Sequence, residues 1–168
     1  MHRAFESFFL NRWYASPPRP IWPLIPVSFA YAGASGLYQW VQKHFYRWEP
    51  PVPLIVVGNL TLGGVGKTPI VAAIAHHLKT KGWQVGIISR GYGGASRATP
   101  HLIQPTDSAF DVGDEPLWLA ETTACPVVVS ASRVAAAQFL CNHLRCDVII
   151  SDDGLQHAAL GRTLEIAV

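Results

Sequence analysis

A chain of 168 residues is long enough to bury one substantial core. It is 49% hydrophobic and only 14% charged, apolar enough that part of its surface should meet something other than water. The net charge of +2 divides into +3 over residues 1–50 and −1 over the rest, too weak for the basic face of a nucleic-acid binder, so no nucleic-acid partner is expected. Cys125, Cys141 and Cys146 form no C-x-x-C pair, which argues against a disulfide framework or a zinc site; they read as small buried hydrophobes in a reducing cytosol.

Residues 1–14 carry Phe5, Phe8, Phe9, Leu10 and Trp13 at helical spacing, and Ser16-Pro17-Pro18-Arg19-Pro20 breaks that pattern. Arg3, Glu6 and Arg12 interrupt the apolar run, and no small-residue cleavage site follows, so no secretory signal is expected. From Pro20 to Gln42 there is no charge. Pro20, Pro23 and Pro26, with Gly33-Ala34-Ser35-Gly36, nevertheless leave an unbroken apolar helix shorter than the roughly 20 residues a span needs. The spacing predicts a helix over about Pro26 to Arg47, with a stripe of Leu37, Val41, Phe45 and Trp48 and with Lys43 and Arg47 beside it. Trp13, Trp22, Trp40 and Trp48, four of the six tryptophans, fall in this first segment, and Trp favours the membrane interface. Interfacial contact is the favoured reading; packing of the stripe on the core and a true span stay open. Glu49-Pro50-Pro51-Val52-Pro53 then forms a stiff connector. It separates an N-terminal helical segment, residues 1–50, from an α/β domain, residues 51–168.

The α/β domain opens on an apolar, mostly β-branched run, Leu54 to Val57, that empties into Gly58-Asn59-Leu60-Thr61-Leu62-Gly63-Gly64-Val65-Gly66-Lys67-Thr68-Pro69. Strand, Gly-rich loop and helix in that order make a phosphate-binding loop. Without Cβ atoms the loop amides can turn inward around phosphate oxygens, and the next helix adds its unsatisfied N-terminal amides. Thr61, Gly63, Gly64, Val65, Gly66, Lys67 and Thr68 are the expected nucleotide-binding set. Lys67 would meet the terminal phosphates and the Thr68 hydroxyl Mg²⁺. Thr61 stands where the strict G-x-x-x-x-G-K-T pattern has its first Gly; a merely structural loop is the alternative. The helix should run to about Thr80, with Ile70, Ile74, Ala75 and Leu78 inward, Pro69 in its first turn, and His76 and His77 on the surface.

A second strand, Trp83 to Ser89, delivers Arg90-Gly91-Tyr92-Gly93-Gly94. The loop can be a plain turn, or it can hold Arg90 and Tyr92 at the strand's C-terminal edge, where ligands bind in doubly wound sheets. A weak strand follows around His101–Gln104. Asp111-Val112-Gly113-Asp114-Glu115-Pro116 then starts a helix, and its carboxylates can be capping residues alone. The strand Cys125 to Ser130 and a helix from Ser132 to Leu144 come next. Asp147-Val148-Ile149-Ile150-Ser151 then ends in Asp152-Asp153-Gly154-Leu155-Gln156-His157, the Walker B arrangement that sets a carboxylate opposite the phosphate loop for Mg²⁺. A turn-capping carboxylate pair is the alternative. Thr163 to Val168 reads as a further strand. Strand and helix alternate, so a largely parallel, doubly wound P-loop NTPase-like sheet with helices on both faces is predicted.

Four motifs in this order resemble the tetraacyldisaccharide 4′-kinase family of lipid A biosynthesis: Val57-Gly58-Asn59-Leu60-Thr61 running into Gly-Gly-Val-Gly-Lys-Thr-Pro, Ser-Arg-Gly-Tyr-Gly, Val112-Gly113-Asp114-Glu115-Pro116, and Asp-Asp-Gly-Leu-Gln-His. The family shares the departure at Thr61. The resemblance implies transfer of the ATP γ-phosphate to the 4′-hydroxyl of an acylated disaccharide 1-phosphate lipid at the cytoplasmic face of the inner membrane. It implies Lys67 and Thr68 on ATP and Mg²⁺, Asp152 and Asp153 on Mg²⁺, and Asp114 taking the proton of the attacking hydroxyl. Arg133, Gln156 and His157 match positions facing the substrate headgroup. Family members continue with a second lobe that supplies a His paired with the catalytic carboxylate, so the chain corresponds to the N-terminal portion and low activity is expected of it alone. A membrane-associated P-loop ATPase switch and a non-catalytic nucleotide-binding remnant are the competing readings.

Overall fold

The computed structural model of the chain describes residues 22–59, 66–91 and 99–168. Residues 1–41 and 42–168 make two compact units. The expected helix around Phe5–Trp13, the loop residues Thr61, Gly63, Gly64 and Val65, and Tyr92 lie outside the described residues.

A 3-10 turn, Trp22–Leu24, leads into helix α1, Ile25–Phe45. Pro26 sits in the first turn, where a missing amide hydrogen costs nothing, and Lys43 and His44 complement the dipole at the last. The helix buries no residue, and Phe29, Tyr31, Leu37 and Phe45 are each more than 60% exposed. Among the described residues no helix is long and apolar enough to cross a membrane. The predicted stripe fails at its last member. Trp48 lies beyond the helix, its amide donates to the Ala159 carbonyl at 2.8 Å, and its side chain packs partly against the core of the second unit. Pro50 and Pro51, following Glu49, deny this stretch helical backbone, so spacing alone overextended the helix.

The second unit is a six-stranded sheet in the order β3-β4-β2-β5-β1-β6. The strands are β1 Leu54–Gly58, β2 Val85–Ser89, β3 His101–Leu102, β4 Val127–Val129, β5 Val148–Asp152 and β6 Leu164–Ala167. All neighbours are parallel except β3, a two-residue edge strand antiparallel to β4. Helix α2, Lys67–Thr80, and α4, Asp114–Thr123, cover one face; α5, Arg133–His143, covers the other. The four-residue α3, Ala109–Val112, precedes α4. Because both faces are covered, the central strands are continuous Val/Ile runs rather than alternating ones. Val57, Ile87 and Ile150 pack under α2 and α4, whereas Leu54, Val56, Ile88 and Ile149 pack under α5.

On α2 the fully buried positions are Val71, Ala72 and Ala75, with Ile70, Ile74 and Leu78 partly buried beside them. The buried face is thus centred one position from the predicted one. His76 and His77 are exposed as expected. Strands β2, β3, β4 and β6 are two or three residues shorter than the runs that announce them, whereas β1 and β5 keep their length or gain a residue and reach one residue further, to Gly58 and Asp152. Cys125 is buried, and Cys141 and Cys146 are partly buried; all three are free thiols. One close approach ties the fold to the motifs: a Cβ at Gly58 would meet Leu155 Cγ at 2.6 Å. Glycine at the end of β1 therefore lets the Asp-Asp-Gly-Leu turn pack against the entrance of the Gly-rich loop.

Candidate active site

Parallel pairing sets β1 and β5 in register, with Val57 opposite Asp152, so the Gly-rich loop and the Asp-Asp turn leave the same edge of the sheet side by side. Gly66 holds φ +78° before α2, a left-handed conformation suited to glycine, and no side chain caps the helix there. The first amides of α2 are thus left for an anion. Lys67 Nζ, the head of a mostly buried side chain, donates to Asn59 Oδ1 at 3.0 Å and to Asp153 Oδ1 at 2.7 Å.

Asp152 and Asp153 differ sharply. Asp153 takes φ +53° and holds a carboxylate that is 61% exposed. Asp152 is only 2% exposed, and its Oδ1 is buried without a hydrogen-bond partner. Burial pushes the Asp152 carboxyl up to about 6, Glu115 adds to the rise, and Arg133 and Lys67 oppose it. An unpaired buried carboxylate oxygen beside a phosphate loop is a position that a hard cation or its water shell satisfies.

Helix α4 enters the site from the side. Gly113, with φ +91°, turns the chain between α3 and α4, and Asp114 and Glu115 occupy the first turn of α4, where the helix dipole favours them. Asp114 is exposed, and with Thr68, Pro69, Glu115 and Trp118 it lines an open cleft of about 320 Å³. The cleft thus joins an exposed carboxylate and the hydroxyl-bearing residue that follows Lys67. Among the described residues no three His, Cys, Asp or Glu side chains converge on a metal by themselves. The oxygen donors at hand are Thr68, Asp152 and Asp153, a set suited to Mg²⁺ whose other ligands are phosphate oxygens and water.

Of the residues expected at a headgroup, Arg90 is exposed at the end of β2 and Gln156 is exposed in the turn after Asp153. His157 is half-buried, and burial together with Arg133 and Arg90 pushes its imidazole down to about 4, so it is neutral at physiological pH. Arg133 departs from expectation. It is 3% exposed, and its guanidinium turns to backbone carbonyls: Nη2 donates to Asp152 O at 2.9 Å and to Asp153 O at 3.4 Å, and Nη1 to Ser130 O at 3.5 Å, while Nε is buried without a partner. The first turn of α5 points this side chain under the Asp-Asp turn rather than into the cleft.

Asn59 and Glu115 are the site residues that motif reading passed over. Asn59 is a polar residue right after a buried apolar strand, and Glu115 shares its motif with Asp114, so both carried a signal.

The family model for tetraacyldisaccharide-1-P 4′-kinase, LpxK, matches residues 20–168. The chain belongs to the LpxK family. It is 45% identical to the tetraacyldisaccharide 4′-kinase of Nitrosococcus oceani over 98% of its own length and 49% of that protein's. It is 47% identical to the kinase of the same description from Alkalilimnicola ehrlichii, over 93% of this chain and 48% of the relative. The LpxK-family chain therefore spans about half the length of the curated relatives it matches. Its fold is similar to the crystal structure of the "apo" form of LpxK from Aquifex aeolicus in complex with ATP, with a TM-score of 0.75, 33% identity, and coverage of 86% of this chain and 47% of that one. The family read from the four motifs and the α/β P-loop fold class both hold for this LpxK-family chain.

Proposed function

We propose that this chain is the nucleotide-binding half of an ATP-dependent tetraacyldisaccharide 4′-kinase, acting at the cytoplasmic face of the inner membrane. The observation that carries this reading is the convergence, at one sheet edge, of Lys67, the unpaired Oδ1 of Asp152 and the exposed Asp114. Membership of the LpxK family and likeness to an ATP-bound member supply the donor and the acceptor class.

Lys67 and the uncapped amides of α2 hold the terminal phosphates of ATP, which requires Lys67 to leave Asp153 for the nucleotide. Thr68, Asp152 and Asp153 would hold Mg²⁺, which when bound would supply neutralisation of the charge developing on the transferred group. Asp114, across the cleft from Thr68, accepts the proton of the 4′-hydroxyl as the new P–O bond forms, making a weak sugar nucleophile reactive. Arg90 and Gln156, exposed at the same edge, meet the headgroup, and Tyr92 is assigned the same role. The exposed aromatic residues of α1 lie in the membrane interface, where the acylated substrate resides.

The test joins this chain to the second half of the Nitrosococcus relative and follows label from γ-labelled ATP into the disaccharide 1-phosphate in detergent. Transfer is expected, and Asp114→Asn should slow it by about 10²- to 10⁴-fold, the usual scale for a positioned general base. A folded chimera that binds MgATP yet labels no lipid would remove the kinase reading in favour of a nucleotide switch or remnant.

A further inference from the structure

Arg133 presents a physical puzzle. A guanidinium at 3% exposure is costly to bury, and burial drives its pKa down to about 10, so it still carries its charge. The two aspartate carbonyls could be served by a neutral amide at smaller cost. What a neutral side chain could not do is stand as a fixed cation beside Asp152 and Asp153 while gripping the backbone of both. Arg does this because its planar fork presents several donors at set angles.

The grip falls on a turn that needs it. Asp153 is held in the left-handed region at φ +53°, unfavourable for a residue with a Cβ, and Asp152 Oδ1 is left with no partner. On the side of β1 the ladder ends at the Val57–Asp152 pair, and beyond it the turn backbone is tied by a long bond, Gly154 N to Val57 O at 3.4 Å. On the side of α5 it is tied by Nη2 to both aspartate carbonyls, and Nη1 anchors the same guanidinium to Ser130 at the end of β4.

We propose that Arg133 is a positioning residue that clamps the Asp152–Asp153 turn from beneath and so sets both carboxylates for the metal of a bound metal–nucleotide. This rests on the nucleotide-binding reading given above, and it assigns Arg133 a place behind the site rather than at the lipid headgroup. Arg133 acts through the aspartates and touches neither nucleotide nor lipid.

The test compares the unaltered chain with Arg133→Met and Arg133→Lys in two measurements. The first is hydrogen exchange at the Gly154 amide without ligand: Arg133→Met should speed it at least tenfold relative to amides of α2. The second is affinity for a fluorescent ATP analogue with Mg²⁺ and with EDTA. Arg133→Met should weaken binding about tenfold in Mg²⁺ and less than twofold in EDTA, and Arg133→Lys should recover part of that loss. If Arg133→Met does not fold, Arg133→Lys carries both comparisons, with a threefold or greater change expected in each. Unchanged Gly154 exchange in a folded variant overturns the proposal, as does an affinity loss equal with and without Mg²⁺. If the parent chain binds no nucleotide, the functional reading fails, while Gly154 exchange still decides whether Arg133 clamps the turn.

Discussion

Lys67→Ala should weaken MgATP binding by at least about 100-fold and abolish transfer in the chimera, with almost no change in unfolding midpoint. The two effects separate for a physical reason. In the free protein Lys67 bonds Asn59 and Asp153, but the Asp153 carboxylate is 61% exposed, and an ion pair so open to water is worth at most about 1 kcal/mol. Against the terminal phosphates, the same ammonium meets concentrated negative charge with the amides of α2 already oriented around it, and that charge grows through the reaction. Titration calorimetry and thermal unfolding on one sample check both halves. A variant that melts several degrees lower while still binding MgATP would mean that the Asp153 pair, not phosphate binding, is what Lys67 is for.

Asp152→Asn should have opposite effects on stability and function. The folded protein holds this carboxyl at about 6 against an ordinary 3.8, mainly because it is buried. Between those values the folded state keeps a proton that the unfolded chain releases, so stability falls as pH rises through that window and levels off above it. Asparagine removes the cost. The variant should therefore gain about 3 kcal/mol at pH 7.5, shrinking to about 1 kcal/mol at pH 4.5. Its Mg²⁺-dependent nucleotide binding should fall by tenfold or more, because the amide oxygen is uncharged. Urea unfolding at the two pH values is the check, and a loss of stability at pH 7.5 would show that the carboxylate is paired and not stranded. Such a stranded charge is the kind of destabilised group that functional sites retain.

Much of this was legible in the residues. Buried Val/Ile runs ending in motif residues, Leu54 to Val57 and Val148 to Ile150, gave β1 and β5 and their shared edge, because a strand covered on both faces has nothing polar to interrupt it. The helices after Gly66 and Ser132 were marked by Pro69 in a first turn and by a Ser cap whose Oγ accepts from Ala135 N at 3.2 Å. Trp48 was misplaced because helical spacing continued past the point where backbone restrictions had ended the helix. Arg133 shows a different limit. Sequence put it at the edge of the sheet but could not say which way the first turn of α5 faces, and that rotation decides between an open side chain and the buried one observed. The pairing of Asn59 with Lys67 and the approach of Glu115 to Asp152 are likewise products of register between β1, β5 and α4, which no single stretch encodes.

On this reading residues 42–168 assemble a metal–nucleotide site by themselves. Calorimetric titration of the unaltered chain with ATP, in Mg²⁺ and in EDTA, decides whether they do. One saturable site that weakens at least tenfold in EDTA is the predicted result; a folded chain that binds no ATP in either condition would contradict it.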